Sequence, residues 1–522
     1  MKHLFYKVSI VLTGLFMACS PNSELSEDTK TTNTDAPQGM TTFGGTQQTN
    51  KPVTRTSIEH SGVGVTSNPF YWEVDDKLWV KKSETELVQS SSSDITKKIA
   101  TARFYFNGLF DQASYQVYYR GNNTDAENKV TIAAQQTQNT PNSSTHFAAS
   151  GDCGTATATR GNDGIYGFSL QHKAAYLCLV PRMTDAGLGA NTVLKQVKIV
   201  SDATIAGTYD FSTGELGNAS NTSTEITVKC GDTGFPLTGI STEDALAKAG
   251  VYAVIAPGNH KLRIEYTIAD NSKSIEGVLY QYIDTHQFAK NTLTDIVVDL
   301  NTRIVDISQF KYYRWDAQKD VFADLANPPH LTDETGTYAN GSMFSQVAEF
   351  SAAVNSQKDA PNINETLCYV QKGEPMIEND VLYKYDGHLY KGKGLWLKKQ
   401  ANIQGFRKDQ APDGLDHTKV QYTDETAKTC KVGRPTDPSQ YFFLPASGGV
   451  APNGASAAKD TFGTLSDVTA EGYYWTSTAS KIYNRNYYAY LLHFKEDNCY
   501  VYYQGPGNLA MRRFGMANWK GQ

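Results

Sequence analysis

Residues 261–270 read KLRIEYTIAD. Leu262, Ile264, Tyr266 and Ile268 fall on one side of an extended chain, and Arg263, Glu265 and Thr267 fall on the other. This period of two marks a strand with one face buried and one face wet. A helix would scatter the same apolar positions around its axis. The neighbouring stretches agree. "VYAVIAPGN" (251–259) and "DIVVDL" (295–300) are apolar runs of strand length bounded by turn residues. "STEDALAKAG" (241–250) is the exception: Ser241 or Thr242 can cap a helix and Gly250 can stop it, which predicts a short helix.

Short apolar runs separated by turn clusters continue toward the N-terminus, from "SNPFYWEVDDKLWV" (67–80) to "VLKQVKIV" (193–200). That spacing predicts β-sandwich architecture. The polar "GNASNTSTE" (217–225) suggests a boundary, giving one β unit over 56–225 and a second over 226–330. Beyond about residue 328 the character changes. Phe344, Val347, Phe350, Ala353 and Val354 recur near the helical period, which predicts a helix. "YDGHLY" (385–390) carries an Asp-Gly hairpin signal between aromatic flanks. Residues 331–522 therefore read as an α+β unit, and the chain as a whole as mainly β. A length of 522 residues supports about three domains.

Within the last unit, "GYYWTSTASKIYNRNYYAYLLHF" (472–494) concentrates aromatics. A hairpin with Glu496 and Asp497 at its tip pairs Phe494 with Cys499 and Leu492 with Val501. One face, Tyr488, Tyr490, Leu492, Phe494, Cys499, Val501 and Tyr503, is then a core face. The other, Tyr487, His493, Tyr500, Tyr502 and Gln504, is aromatic but polar-tipped, and suits a covering loop or a ligand. Trp475 reads either as a structural indole or as a sugar-stacking one. Tyr483, Asn484, Arg485, Asn486, Asn508, Arg512 and Arg513 lie in or beside loops and complete the candidate ligand-binding set with Trp475, Tyr500 and Tyr502.

Other chemistry is missing from the sequence. HExxH, GxSxG, GxxxxGK[ST] and GxGxxG do not occur. His172 sits on a strand pattern and reads as packed. Asp316, Asp320 and Asp324 stand at helical spacing and read as a solvated face. No CxxC pair exists, so no zinc ribbon is assigned. No catalytic residue, metal ligand or cofactor is therefore assigned, and the expectation is a protein that is not an enzyme. The net charge of −6 is spread without a basic block, which excludes a nucleic-acid footprint.

The N-terminus has a basic start, "MKHLFYK", and an apolar run, "VSIVLTGLFMA", too short to span a bilayer. The run ends in the small Ala18, and Cys19 follows at once. This arrangement resembles a bacterial lipoprotein signal over 1–19, which implies acylation at Cys19 and attachment to outer-membrane lipid. Residues 20–55 are polar and aperiodic and read as a disordered tether and removable N-terminal segment. Cys153, Cys178, Cys230, Cys368, Cys430 and Cys499 remain, either as disulfides or as buried thiols.

Two parts of the chain resemble known families. "FYWEVDDKLWV" (70–80), "YQVYYRGNN" (115–123), "FSLQHKAAYL" (168–177), "IAGTYDFSTGEL" (205–216), "YAVIAPGNHKLRIEYTI" (252–268) and "NTLTDIVVDL" (291–300) resemble, in that order, the fimbrillin family of pilus subunits. The resemblance covers about 56–310 and implies two tandem β-sandwich, transthyretin-like domains. "NETLCYVQKGEP" (364–375), "GHLYKGKGLWLKK" (387–399), "YFFLPASG" (441–448), "GYYWTSTASK" (472–481), "YAYLLHF" (488–494) and "RRFGM" (512–516) resemble the C-terminal domain of fimbrillin-like tip proteins, and more distantly the C-type-lectin-like fold. The EPN and WND triplets with which true C-type lectins hold calcium are absent.

The fimbrillin resemblance implies a surface-exposed lipoprotein assembled into pili. A protease cuts after a basic residue, here Arg55, and unmasks a groove that the extended segment of another subunit fills by β-strand addition. A separate C-terminal domain implies a tip position and a glycan or host-protein ligand. The alternative is a surface-anchored binding lipoprotein that never polymerises.

Overall fold

The computed structural model describes residues 37–45, 57–65, 70–122, 128–339, 342, 348–452, 462–481, 488–505 and 510–513. The chain is mainly β, with a few short helices. Among the described residues no helix is long and apolar enough to cross a membrane.

The 261–270 stretch behaves as its alternation predicts. Leu262, Ile264, Tyr266 and Ile268 are all buried, while Arg263 pairs with its neighbour Glu265 on the wetter face. The strand Gly258–Asp270 lies between Thr192–Ser201 and Ile275–Phe288 in a sheet completed by Glu225–Cys230, Gln135–Gln138 and Phe235–Pro236. Across the shared core is a three-stranded sheet of Val251–Ile255, Ala175–Arg182 and Leu293–Asp299. The predicted helix is present as Thr242–Ala249, with the Ser241 side chain accepting from the Asp244 N–H.

The first unit is a nine-stranded sheet. Its main path runs Leu87–Gln89, Trp79–Lys81, Ser114–Tyr119, Gly154–Arg160, Tyr166–Phe168, Met40–Gly45, Ala102–Asn107 and Ser92–Ser93. Nearly all these strands feed one aromatic core that includes Phe43, Trp72, Phe104, Phe106, Tyr119 and Tyr166. This corrects the reading of 20–55 as unstructured throughout, because residues 40–45 form a strand with Phe43 fully buried. The stretch MTTFGG has one bulky apolar residue and no period, so its partners at 102–107 and 166–168 make it a strand.

The sheets do not part at 225/226. Thr192–Ser201 and Ala175–Arg182, placed in the first unit by the sequence, pair with Gly258–Asp270 and Leu293–Asp299 in the second. The polar 219–223 segment is no linker. It is an exposed outer strand of a small sheet with Ala206–Asp210 and Lys129–Ile132. Nor does the third unit wait for residue 331, since Val305–Asp306 pairs with Met376–Tyr385, and Tyr312–Tyr313 with Ala510–Arg513.

In this third unit a five-stranded sheet and a nine-stranded sheet pack with the helix Ile363–Lys372. The Asp-Gly signal gives the hairpin Met376–Tyr385 and His388–Lys398, with Asp386 and Gly387 both at positive φ (50° and 73°). The helix expected over 344–354 has no counterpart among the described residues 348–358. Phe350 has a φ of +56°, and the Val354 and Asn355 N–H groups donate to Asp316 instead of to a helical turn. Asp316, Asp320 and Asp324 likewise sit on no helix. Buried Asp316 holds that turn, and Asp320 accepts from the Tyr312 and Phe322 N–H groups.

Candidate functional site

Two places in the fold have the geometry to engage another molecule. The first is the position of the Met40–Gly45 strand. It pairs antiparallel with Ala102–Asn107 over six residues and parallel with Tyr166–Phe168 over three. It is therefore an interior strand, and its two neighbours depend on it for their ladder hydrogen bonds. Phe43 fills the pocket beneath. Its ring stacks on Tyr166 at 4.7 Å and meets Phe106 and Phe110 edge-on at 5.0 and 5.3 Å. The Tyr166 hydroxyl donates to the Phe110 and Gln112 carbonyls, which holds that ring in place. At Gly45 a Cβ would come within 3.3 Å of the Trp72 indole nitrogen, so the backbone passes close to the ring.

Arg55 lies outside the described residues, as do Cys19 and the rest of 1–36 and 46–56. The chain on either side of 46–56 is anchored. Upstream is the interior strand. Downstream, Ser57 and Ile58 are buried, and Ser144 Oγ accepts from the Ile58 N–H at 2.7 Å and donates to its carbonyl at 3.0 Å.

The second place is a groove of 1110 Å³ in the third unit. It lies beside the N-terminal end of Ile363–Lys372, and Lys311, Tyr313, Phe350, Lys358, Asp359 and Lys408 are on its walls. The helix begins with a capping box, in which the Asn362 side chain accepts from the Glu365 N–H and the Glu365 carboxylate accepts from the Asn362 N–H. Lys408 pairs with that Glu365 at 3.2 Å. Phenol, ammonium and amide groups beside ring faces can bind a polar ligand with flat apolar patches.

The aromatic stretch does not form this surface by itself. The hairpin has the expected register, Leu492 opposite Val501 and Phe494 opposite Cys499. Its core face is buried at Tyr490, Leu492, Phe494, Cys499 and Val501. The other face is covered as well. Ala489 and Leu491 are buried in a cluster with Trp315 and Trp475. Trp475 is fully buried and its indole N–H donates to the Tyr313 carbonyl at 3.0 Å, while Trp315 donates to the Thr476 carbonyl at 2.9 Å. Trp475 is therefore structural, which removes it from the ligand-binding set.

Tyr500 and Tyr502 are partly exposed and pack around His493. His493 stacks on Tyr473 at 4.2 Å and lies 2.7 Å from the Glu471 carboxylate. Burial pushes the His493 imidazole down, and the adjacent Glu471 only partly opposes this. Burial works to raise Glu471, but hydrogen bonds from Tyr473 and His493 outweigh it and hold the carboxyl below its usual range. The pair is thus a neutral imidazole beside an ionised carboxylate. Tyr483, Asn484, Arg485, Asn486 and Asn508 fall outside the described residues, and for Arg512 and Arg513 only the backbone is described.

All six cysteines from Cys153 to Cys499 are buried and unbridged. His172 is packed, as expected, but with a buried carboxylate. Asp152 Oδ1 lies 2.5 Å from the His172 Nδ1 and accepts from the Tyr176 hydroxyl.

No family model and no curated protein matches the sequence. Among solved structures, the chain is similar to a "putative cell adhesion protein" of Bacteroides ovatus ATCC 8483, at 15% identity over 44% of this chain and 83% of that one, with a TM-score of 0.28. A protein of the same description from Bacteroides uniformis ATCC 8492 aligns at 14% identity over 50% of this chain and 94% of that one, with a TM-score of 0.30. A fimbrial protein of Bacteroides ovatus ATCC 8483 aligns at 13% identity over 49% of this chain and 51% of that one, with a TM-score of 0.21.

Proposed function

We propose that the chain is an adhesive, structural subunit of a pilus, assembled by exchange of the Met40–Gly45 strand after cleavage at Arg55. The observation that carries this reading is the interior position of that strand, hydrogen-bonded on both sides yet joined to the body through the segment that contains Arg55. Cutting there turns a covalent part of the sheet into a bound peptide. Once it leaves, Ala102–Asn107 and Tyr166–Phe168 each present an unpaired edge, and the Phe43 pocket is open to an apolar side chain from another copy or another subunit. The motif order that resembles fimbrillins supports the same reading. Acylation at Cys19 and anchoring in the outer membrane before cleavage belong to the proposal.

The third unit supplies the adhesive end and suits a tip position, with the 1110 Å³ groove as the place for a glycan or a host-protein segment. The same groove would serve a surface-anchored binding protein that never polymerises. One experiment separates the two readings. Full-length protein is treated with an Arg-specific protease, and the products are followed by mass spectrometry and by SDS-resistant laddering. A cut after Arg55, loss of the 40–45 peptide and formation of higher species are expected, and Arg55→Ala prevents all three. Cleavage without peptide loss, even with excess synthetic donor peptide, would leave the non-polymerising binder as the surviving reading.

A further inference from the structure

We infer that His60, Cys178 and Asp295 form a binding site for a divalent transition-metal ion of the zinc type. The three residues come from distant parts of the chain, and no spacing in the sequence joins them. Cys178 sits mid-strand in Ala175–Arg182, directly opposite Asp295 in the parallel neighbour Leu293–Asp299. Residues opposed in adjacent strands project from the same face, so thiol and carboxylate lie side by side. His60 comes from the segment that follows Ser57–Ile58. Its Nδ1 is 3.9 Å from Cys178 Sγ, and its Nε2 is 3.2 Å from Asp295 Oδ1. One donor atom from each residue can be chosen so that all lie within 4.8 Å of one another.

Two further observations point to a ligand there. The imidazole is enclosed, with no side-chain exposure, and its Nε2 meets the buried Oδ1 of Asp295 in an ion-pair contact at 3.2 Å that falls short of good hydrogen-bond geometry. Buried polar atoms normally find well-aligned partners, and these two have only each other in poor alignment, an arrangement that a shared cation would improve. The other carboxylate oxygen is already committed. Asp295 Oδ2 accepts from the Gly64 N–H at 2.7 Å, the kind of outer contact that orients a ligating carboxylate. The Asp295 side chain keeps 13% of its surface exposed, which provides a way in.

Thiolate, imidazole and carboxylate together are a zinc-like donor set. On binding, the S–H bond of Cys178 breaks, a metal–sulfur bond forms and the proton passes to solvent, with no change in oxidation state. Three protein ligands leave a fourth position for water. The ion would fasten the 57–65 segment to the second unit. His60 lies shortly after Arg55, so the chain just past that residue would be held whether or not it is ever cut.

The test uses full-length protein freed of metal with a chelator and titrated with zinc or cobalt alone. One equivalent of bound metal, a sulfur-to-cobalt charge-transfer band and a zinc-dependent rise in melting temperature are expected. Cys178→Ser should lose the band. Asp295→Asn keeps the shape of a partly exposed residue, and should weaken zinc binding by more than about 100-fold while its metal-free circular dichroism matches the parent. Absence of stoichiometric binding by the parent protein overturns the proposal. Binding by Asp295→Asn equal to that of the parent does the same.

Discussion

Trp315 and Trp475 show what a single residue's surroundings decide. Each indole donates to a carbonyl beside the other residue, so the two rings lock the 313–316 turn to the Gly472–Ala479 strand. From sequence alone Trp475 reads as a structural indole with a stacking platform as the alternative, because the partner that buries it stands 160 residues earlier in the chain. His146 is a second case. Its Nε2 faces the Tyr252 carbonyl at 3.2 Å, and burial pushes its pKa down to about 4, with backbone hydrogen bonds opposing in part. The unfolded chain takes up that proton near pH 6.5, well before the folded one does. Stability is therefore full above the unfolded value and falls as the pH drops from about 6.5 to about 4, by roughly 3 kcal/mol if the shift is fully realised. Urea midpoints measured across that window should show the loss, and His146→Gln should flatten it. An unchanged slope in the variant would assign the loss to other groups.

At the scale of elements, legibility follows how local the determining interaction is. The 261–270 strand and the 489–504 hairpin, register included, could be read because period two and turn residues are properties of consecutive positions. The Met40–Gly45 strand could not, since its pairing partners are remote. The period over 344–354 predicts a helix that the described residues 348–354 do not form, because their backbone donors are used elsewhere: Ala353 donates to the Ser477 carbonyl, and Val354, with Asn355 beside it, donates to Asp316. The helix that does form, Ile363–Lys372, goes unpredicted from the sequence, although Asn362 and Glu365 stand at the spacing of a capping pair. Asn362→Ala removes that cap and the Asn362 contact to the Lys408 carbonyl, and should cost about 1 kcal/mol in chemical denaturation. Asn362→Asp, which keeps an acceptor at the cap, should recover most of it.

For the whole molecule, the second and third units behave as one block. Leu382 and Leu389, from the third unit's hairpin, are buried in the second unit's core. A Cβ at Gly277 would come within 2.6 Å of Leu382, so the fit tolerates no added bulk there. Polar contacts ring the joint. Buried Asp270 accepts from the Leu389 N–H and pairs with His388 at 3.0 Å, Lys384 reaches Asp185 at 2.8 Å, and Arg434 lies over the rings of Tyr280 and Trp396. Calorimetry should show these units unfolding in a single transition. Leu382→Ala should destabilise the block by about 2–5 kcal/mol and split that transition in two. A single transition merely shifted downward would mean that the polar ring alone suffices for coupling. None of this joint is legible in the sequence, which instead suggested breaks at 225 and 330.

The mixed pairing of the Met40–Gly45 strand has one further consequence. Its long ladder runs antiparallel and its short one parallel, so the slot differs from end to end. A chain threaded in backwards would put both ladders out of step and move the side chain at position 43 away from its ring pocket. An occupant can be accepted in one sense only. Whatever segment took the slot after the strand had left would thus be oriented by it, and its parent subunit would join this chain with a fixed direction.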